Sequence, residues 1–122
     1  MRRDWASPAS ARATGCAQER LGIDAVVAAE EVTVTDDYIG PGYGEPTPEG
    51  LEAMRLAAEM EGLVLDPVYT GKCLAGLIGG VRRGEIRRDE TVVFWHTGGA
   101  PELFAHAREF SLDEDGSLRL EG

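Results

Sequence analysis

The run "GPGYGEPTPEG", residues 40–50, holds four glycines and three prolines. Glycine opens left-handed backbone angles that other residues avoid, and proline fixes φ and removes a donor. The run therefore predicts a loop of one specified shape, with a helix starting where it ends. Thr47 suits the N-cap, Pro48 the first helical position and Glu49 the positive end of the helix dipole. Leu51, Met54, Ala58 and Glu61 fall on one helical face, and the polar last member predicts that burial stops near Ala58. Gly62 provides the stop.

The flanks of this loop have different periods. Before it, Val32 and Val34 alternate with Thr33 and Thr35, the pattern of a short strand with one buried face. "CAQERLGI" reads as the end of a helix stopped by Gly22. The first fifteen residues, rich in Ala, Ser and Arg, read as an unplaced tail, so the chain divides into a tail at 1–15 and a domain at 16–122. After it, residues 63–65 are extended or a short buried strand, and Asp66-Pro67 makes a turn. From Gly71 a helix is predicted with Leu74, Leu77, Ile78 and Val81 as its apolar stripe and Gly84 as its end. Gly76, Gly79 and Gly80 each weaken such a helix by about 1 kcal/mol relative to alanine. Their presence implies close packing against another backbone, or relaxed selection.

Residues 91–95, "TVVFW", are β-branched and aromatic with no polar alternation. They read as a central, doubly buried strand of a parallel sheet. "HTGG" follows, and Pro101 and Glu102 open a short helix. Strand, glycine turn and helix in this order is how α/β folds place ligand sites at the carboxyl ends of strands. Phe110, Leu112, Leu118 and Leu120 predict a closing hairpin around Asp115-Gly116. No internal repeat is present.

Length and charge narrow the function classes. A chain of 122 residues suits one modest domain or part of a larger one. A net charge of -10, spread along the chain, argues against nucleic-acid or anionic-membrane partners, which reward basic patches. No apolar run is long enough for a bilayer span, and the basic N-terminus lacks the apolar stretch of a secretory signal, so the expected location is the cytoplasm. Cys16 and Cys73 form no paired motif, and Cys73, in an apolar run, is expected to be a small buried hydrophobe.

Lys72 is the only lysine. A phosphate-binding P-loop would need glycine five residues before Gly71 and a hydroxyl residue after the lysine. Asp66 and Cys73 occupy those positions, so the motif fails twice. As a Schiff-base nucleophile Lys72 would need a depressed pKa and a surrounding pocket. The plainer expectation is a helix-start lysine paired with a local carboxylate. His96 and His106 lie on different elements and make no metal pair, and no metal-ligand spacing occurs elsewhere. His96, at a strand end before Gly-Gly, is expected to hold a structural hydrogen bond. Tyr43 in the shaped loop and Tyr69 at the turn before a helix are either ligand-facing phenols or core filler with hydroxyls at the surface.

Taken together, "GPGYGEPTPEG", "EGLVLDPVYTGK" and "VVFWHTGGAPELFAHA" resemble, in order and spacing, the C-terminal part of the D-cysteine desulfhydrase and 1-aminocyclopropane-1-carboxylate (ACC) deaminase family. The resemblance runs from about residue 32 to 107. It implies an α/β fold: the C-terminal fragment of a tryptophan synthase β-like pyridoxal-phosphate fold, with pieces of parallel sheet and flanking helices. It also implies that Tyr43 and Tyr69 are the active-site tyrosines that approach the substrate. Thr70 and Thr97 would be hydroxyl residues on the pyridine-nitrogen side of the cofactor, with Gly98 and Gly99 letting the backbone pass closely there. The deaminase typically carries Glu after the second tyrosine and Leu in the last motif. Thr70 and Thr97 stand here instead, which resembles the desulfhydrase. A hydroxyl beside the ring nitrogen imposes less charge than a carboxylate, and losing a good leaving group needs a weaker electron sink than opening a cyclopropane.

The resemblance implies elimination from D-cysteine to pyruvate, ammonia and hydrogen sulfide, with a small D-amino acid as substrate and a homodimer as the complete enzyme. The family's Schiff-base lysine and phosphate-binding loop lie upstream of the matching stretch and have no counterpart in this chain. The chain is thus expected to form one wall of an active site, to be inactive alone, and to depend on an N-terminal half supplied elsewhere. The alternatives are an ACC deaminase-like fragment and a non-catalytic remnant or partner-binding chain. With its central strand uncovered, the chain is expected to be marginally stable or aggregation-prone.

Overall fold

The computed structural model describes residues 8–24, 31–112, 114 and 118–120, in two compact units, Met1–Asp36 and Asp37–Gly122. The first holds helix α1, Pro8–Leu21. It begins well before "CAQERLGI", inside the segment expected to be a tail, and ends as expected at Gly22 in the left-handed region. No strand is formed over residues 32–36, and both Val32 and Val34 are exposed. The alternation that predicted a strand lacks a sheet to receive its apolar face, because a strand's donors and acceptors must be met by neighbours.

The second unit is built on two helices, α2 (Pro48–Glu61) and α3 (Thr70–Arg82). Helix α2 starts and stops where the sequence places its signals. Thr47 Oγ1 accepts the Gly50 N–H at 3.1 Å, and Gly62 closes the helix in the left-handed conformation with its N–H on the Ala58 carbonyl. Gly50, Leu51, Ala53, Met54 and Ala57 form the buried face, while Ala58 is exposed, so burial stops one residue earlier than expected. The core is Leu51, Met54, Ala57 and Leu65, with Leu74, Phe94, Leu103 and Phe110 packed against it. The Leu65 side chain enters this core from the extended connection between the helices.

Helix α3 departs from its predicted stripe. Its buried residues are Thr70, Gly71, Lys72, Ala75 and Gly80. Leu74, Leu77 and Ile78 are half-buried, and Val81 and Cys73 are exposed. The buried hydrophobe expected at Cys73 is corrected accordingly. The phase shift follows from packing: the first turn of α3 lies against Gly50 of α2, where a Cβ would stand 3.5 Å from Lys72 Cγ, so small residues and the lysine stem fill the contact. Gly76, Gly79 and Gly80 face side chains rather than a second backbone, Gly80 facing Ile86 and the other two Tyr38. The Tyr38 ring lies across Gly76 and Gly79, and a Cβ at Gly79 would stand 2.9 Å from Tyr38 Cζ. Arg82 on α3 grips Glu52 on α2 with two hydrogen bonds, at 3.0 and 2.8 Å.

The expected parallel sheet is absent among the described residues. Residues 91–99 form no helix and no ladder pairing, and Trp95 is 79% exposed, with Val92 and Val93 also in solvent. Only Phe94 of this run turns onto the core. An all-apolar strand is buried when both its faces and both its edges are covered. Here one face alone meets the core, so the run lies on the surface as a strap. The short helix α4, Glu102–Ala105, follows as predicted, then a 3-10 turn, Ala107–Glu109. Strands β1 (Phe110–Leu112) and β2 (Leu118–Leu120) pair antiparallel with Phe110 opposite Leu120, as the hairpin pattern predicts. The Asp115-Gly116 turn lies outside the described residues. No helix among the described residues is long and apolar enough to cross a membrane.

Candidate functional site

The glycine-proline loop is anchored at both ends. At its end Thr47 is buried and caps α2. At its start the Lys72 ammonium donates to the Ile39 carbonyl at 2.7 Å. Between them Gly40 has φ +78° and its missing Cβ makes room for the Thr47 methyl, so a side chain there is excluded twice. The loop carries Tyr43 outward, 84% exposed.

The facing turn, residues 66–70, is organised by one carboxylate. Asp66 has no solvent exposure. Its Oδ2 accepts the backbone N–H groups of Val68 at 2.8 Å and Tyr69 at 2.6 Å. Its Oδ1 accepts the Thr70 N–H at 2.8 Å and the Thr70 hydroxyl at 2.5 Å. The Asp66 N–H in turn donates to Thr70 Oγ1 at 3.0 Å. Helix α3 lacks a side-chain cap from its own N-cap residue, Tyr69. Asp66 takes that office from four residues before the helix, placing negative charge where the first N–H groups point. Burial pushes its carboxyl upward, but the donors from Thr70, Tyr69 and Val68 outweigh burial and hold it below the ordinary range.

The strap returns to the same carboxylate. His96 donates from Nε2 to the Val64 carbonyl at 2.9 Å and accepts the Gly98 N–H on Nδ1 at 3.0 Å, the structural role expected of it. Gly98 and Gly99 then turn with φ of +100° and +102°. A Cβ on Gly99 would collide with the Asp66 carboxylate, so this backbone passes directly over it.

Tyr43 and Tyr69, 26 residues apart, meet hydroxyl to hydroxyl, with ring centroids 6.1 Å apart and an edge-to-face angle of 62°. The hydrogen bond shared with Tyr43 is the main reason the Tyr69 phenol is pushed above its ordinary value, followed by loss of hydration and by the nearby charges of Tyr43, Glu102 and Asp66. The two hydroxyls share an edge open to solvent. Thr70 and Gly99 gather at Asp66 rather than at the tyrosines, and Gly98 is held by His96. Thr70 is 2% exposed, with its hydroxyl engaged on Asp66 as both donor and acceptor. Thr97 is exposed. Lys72, 9% exposed, pairs with a carbonyl in place of the expected carboxylate.

Sequence reasoning missed Asp66. The available signal was an Asp-Pro turn with a threonine four residues later at a helix start, the spacing of a carboxylate that folds back on the helix N-terminus. A family model described as pyridoxal-phosphate dependent enzyme matches residues 5–98. The match takes in residues 5–31, which precede the motifs described above.

Proposed function

We propose that this chain, which belongs to the family of pyridoxal-phosphate-dependent enzymes, forms the substrate-facing wall of a D-cysteine desulfhydrase-like lyase. The reaction is D-cysteine and water to pyruvate, ammonia and hydrogen sulfide. The observation that carries the reading is the Tyr43–Tyr69 pair, two phenols from separate loops brought together at an exposed edge. Bound pyridoxal phosphate supplies an electron sink for the α-carbon of an amino acid. The chain's own part is to orient the amino acid and to hold a proton at Tyr43 Oη and Tyr69 Oη, within reach of a departing thiolate.

The residues present fit only part of that cofactor. Open space beside Gly98 would admit a flat ring, and Thr97 next to it offers an exposed hydroxyl, whereas the space at Gly99 is filled by the Asp66 carboxylate. Covalent and phosphate anchorage do not fit. The one lysine has its nitrogen on the Ile39 carbonyl at 2.7 Å and its side chain buried. The imine lysine and the phosphate site are therefore assigned to a part of the enzyme outside these 122 residues, and the complete enzyme is read as a homodimer acting on a small D-amino acid. Thr70 contributes through the Asp66 cap rather than by touching the ring. The desulfhydrase reading is preferred over ACC deaminase because Glu at position 70 would set a second carboxylate against Asp66.

The test mixes the purified chain with pyridoxal phosphate and D-cysteine and reads the cofactor spectrum and sulfide. No sulfide is expected from the chain alone. A lysine-bearing polypeptide that restores it should do so less well with Tyr43→Phe or Tyr69→Phe. Turnover by the chain alone that is lost on Lys72→Ala refutes the reading, and so does ACC turnover without sulfide release. A second reading, a non-catalytic partner-binding chain, is favoured by the bare strap with Val93 and Trp95 in solvent. It predicts a stable complex that releases no sulfide.

A further inference from the structure

Lys72 is the residue whose structural position the proposed chemistry leaves unused. Its stem passes Gly50 of α2, and its ammonium reaches across to the Ile39 carbonyl at 2.7 Å. Ile39 itself has an exposed side chain, so the contact is made by the backbone alone. Lys72 is 9% exposed, and methionine or leucine would fill the same volume without bringing a charge there. The bond must therefore matter for what it holds. It holds the peptide immediately before Gly40, where the chain turns at φ +78° into the loop that carries Tyr43. Thr47 fixes the far end of that loop by capping α2. Lys72 also lies three residues after Tyr69, in the first turn of the helix that Tyr69 opens.

We propose that Lys72 is a positioning residue for Tyr43: by holding the Ile39 carbonyl, it fixes the glycine-proline loop so that the Tyr43 phenol meets Tyr69. One element then carries one tyrosine and grips the loop bearing the other, so the pair moves as a unit. The inference rests on the proposed function only for the pair's role toward a substrate, not for the clasp.

The test needs no substrate. Lys72→Met keeps the stem and removes the donor. In the unaltered chain one of the three tyrosines should ionise late in an ultraviolet pH titration. In Lys72→Met that late phase should move back toward the ordinary phenol range, to where Tyr43→Phe puts it, with far-UV circular dichroism unchanged. Glu102 and Asp66 remain in both variants, so their shared contribution cancels in the comparison. A late phase and a Tyr43–Tyr69 ring contact that survive in Lys72→Met overturn the proposal. Should that variant not fold, proton NMR of the unaltered chain decides. A cross-peak from the Lys72 ε-methylene to Gly40 supports the clasp, and its absence overturns it. A failed sulfide assay leaves the clasp standing, and a failed clasp leaves the lyase reading standing.

Discussion

Replacing Asp66 by asparagine tests the organising feature of the site with almost no change in shape. The carboxylate accepts four hydrogen bonds, two on each oxygen. The amide keeps one oxygen and sets an NH2 group where the other stood. If the NH2 replaces Oδ2, the N–H groups of Val68 and Tyr69 both lose their acceptor. If it replaces Oδ1, the Thr70 N–H loses its acceptor and the Thr70 hydroxyl must turn. In the cheaper arrangement one buried N–H is orphaned, at about 1–3 kcal/mol. The charge at the N-terminus of α3 is lost too, at about 0.3–1 kcal/mol. The expected loss is about 3 kcal/mol, a large share of a typical stability of about 5–15 kcal/mol.

The pH dependence fixes the sign. The folded carboxyl is held below its ordinary value, so its contribution is fully present above the unfolded pKa of about 3.9 and is lost as pH falls through the lower folded value. Urea unfolding followed by circular dichroism should show the gap between Asp66 and Asp66→Asn chains in full near neutral pH. The gap should close progressively below about pH 4. A gap under about 0.5 kcal/mol at neutral pH, the size of an ordinary surface change, refutes the cap, and so does a gap that is the same in acid.

Other outcomes follow from the same contacts. Thr47→Ala should destabilise the chain by about 1 kcal/mol in a thermal melt, through loss of the α2 cap. Gly79→Ala should be markedly destabilising because its methyl meets the Tyr38 ring, and Tyr38→Ala should relieve most of that cost in a double-mutant cycle. Gly99→Ala should disturb the strap twice over, through its left-handed φ and its collision with Asp66, read as faster amide exchange at Tyr69 and Thr70. The isolated chain should be marginally stable, given the exposed strap, with a low urea midpoint, and a midpoint typical of a well-packed domain of its length would contradict this.

Local rules carried helix α2 entirely: Thr47, Pro48 and Gly62 sit within a few residues of the groups they satisfy, so their pattern alone set both ends. The hairpin pattern at Phe110 and Leu120, and the turn at Asp66-Pro67, are likewise short-range. The motif order around Tyr43, Tyr69 and Gly98 was enough to point to a pyridoxal-phosphate family. Tertiary structure decided the rest, because it depends on partners distant in the chain. The apolar run at 91–95 has strand composition, yet a strand exists only where neighbours meet its backbone, and here the run is a strap. The face that α3 buries was set by its contact with Gly50, which no period in α3 reveals. Asp66, named by sequence only as a turn residue, became the hub for Thr70 and Gly99 because a buried carboxylate collects whatever donors the fold brings to it. Lys72 was legible as a lone lysine. What it does was decided by a carbonyl 33 residues away.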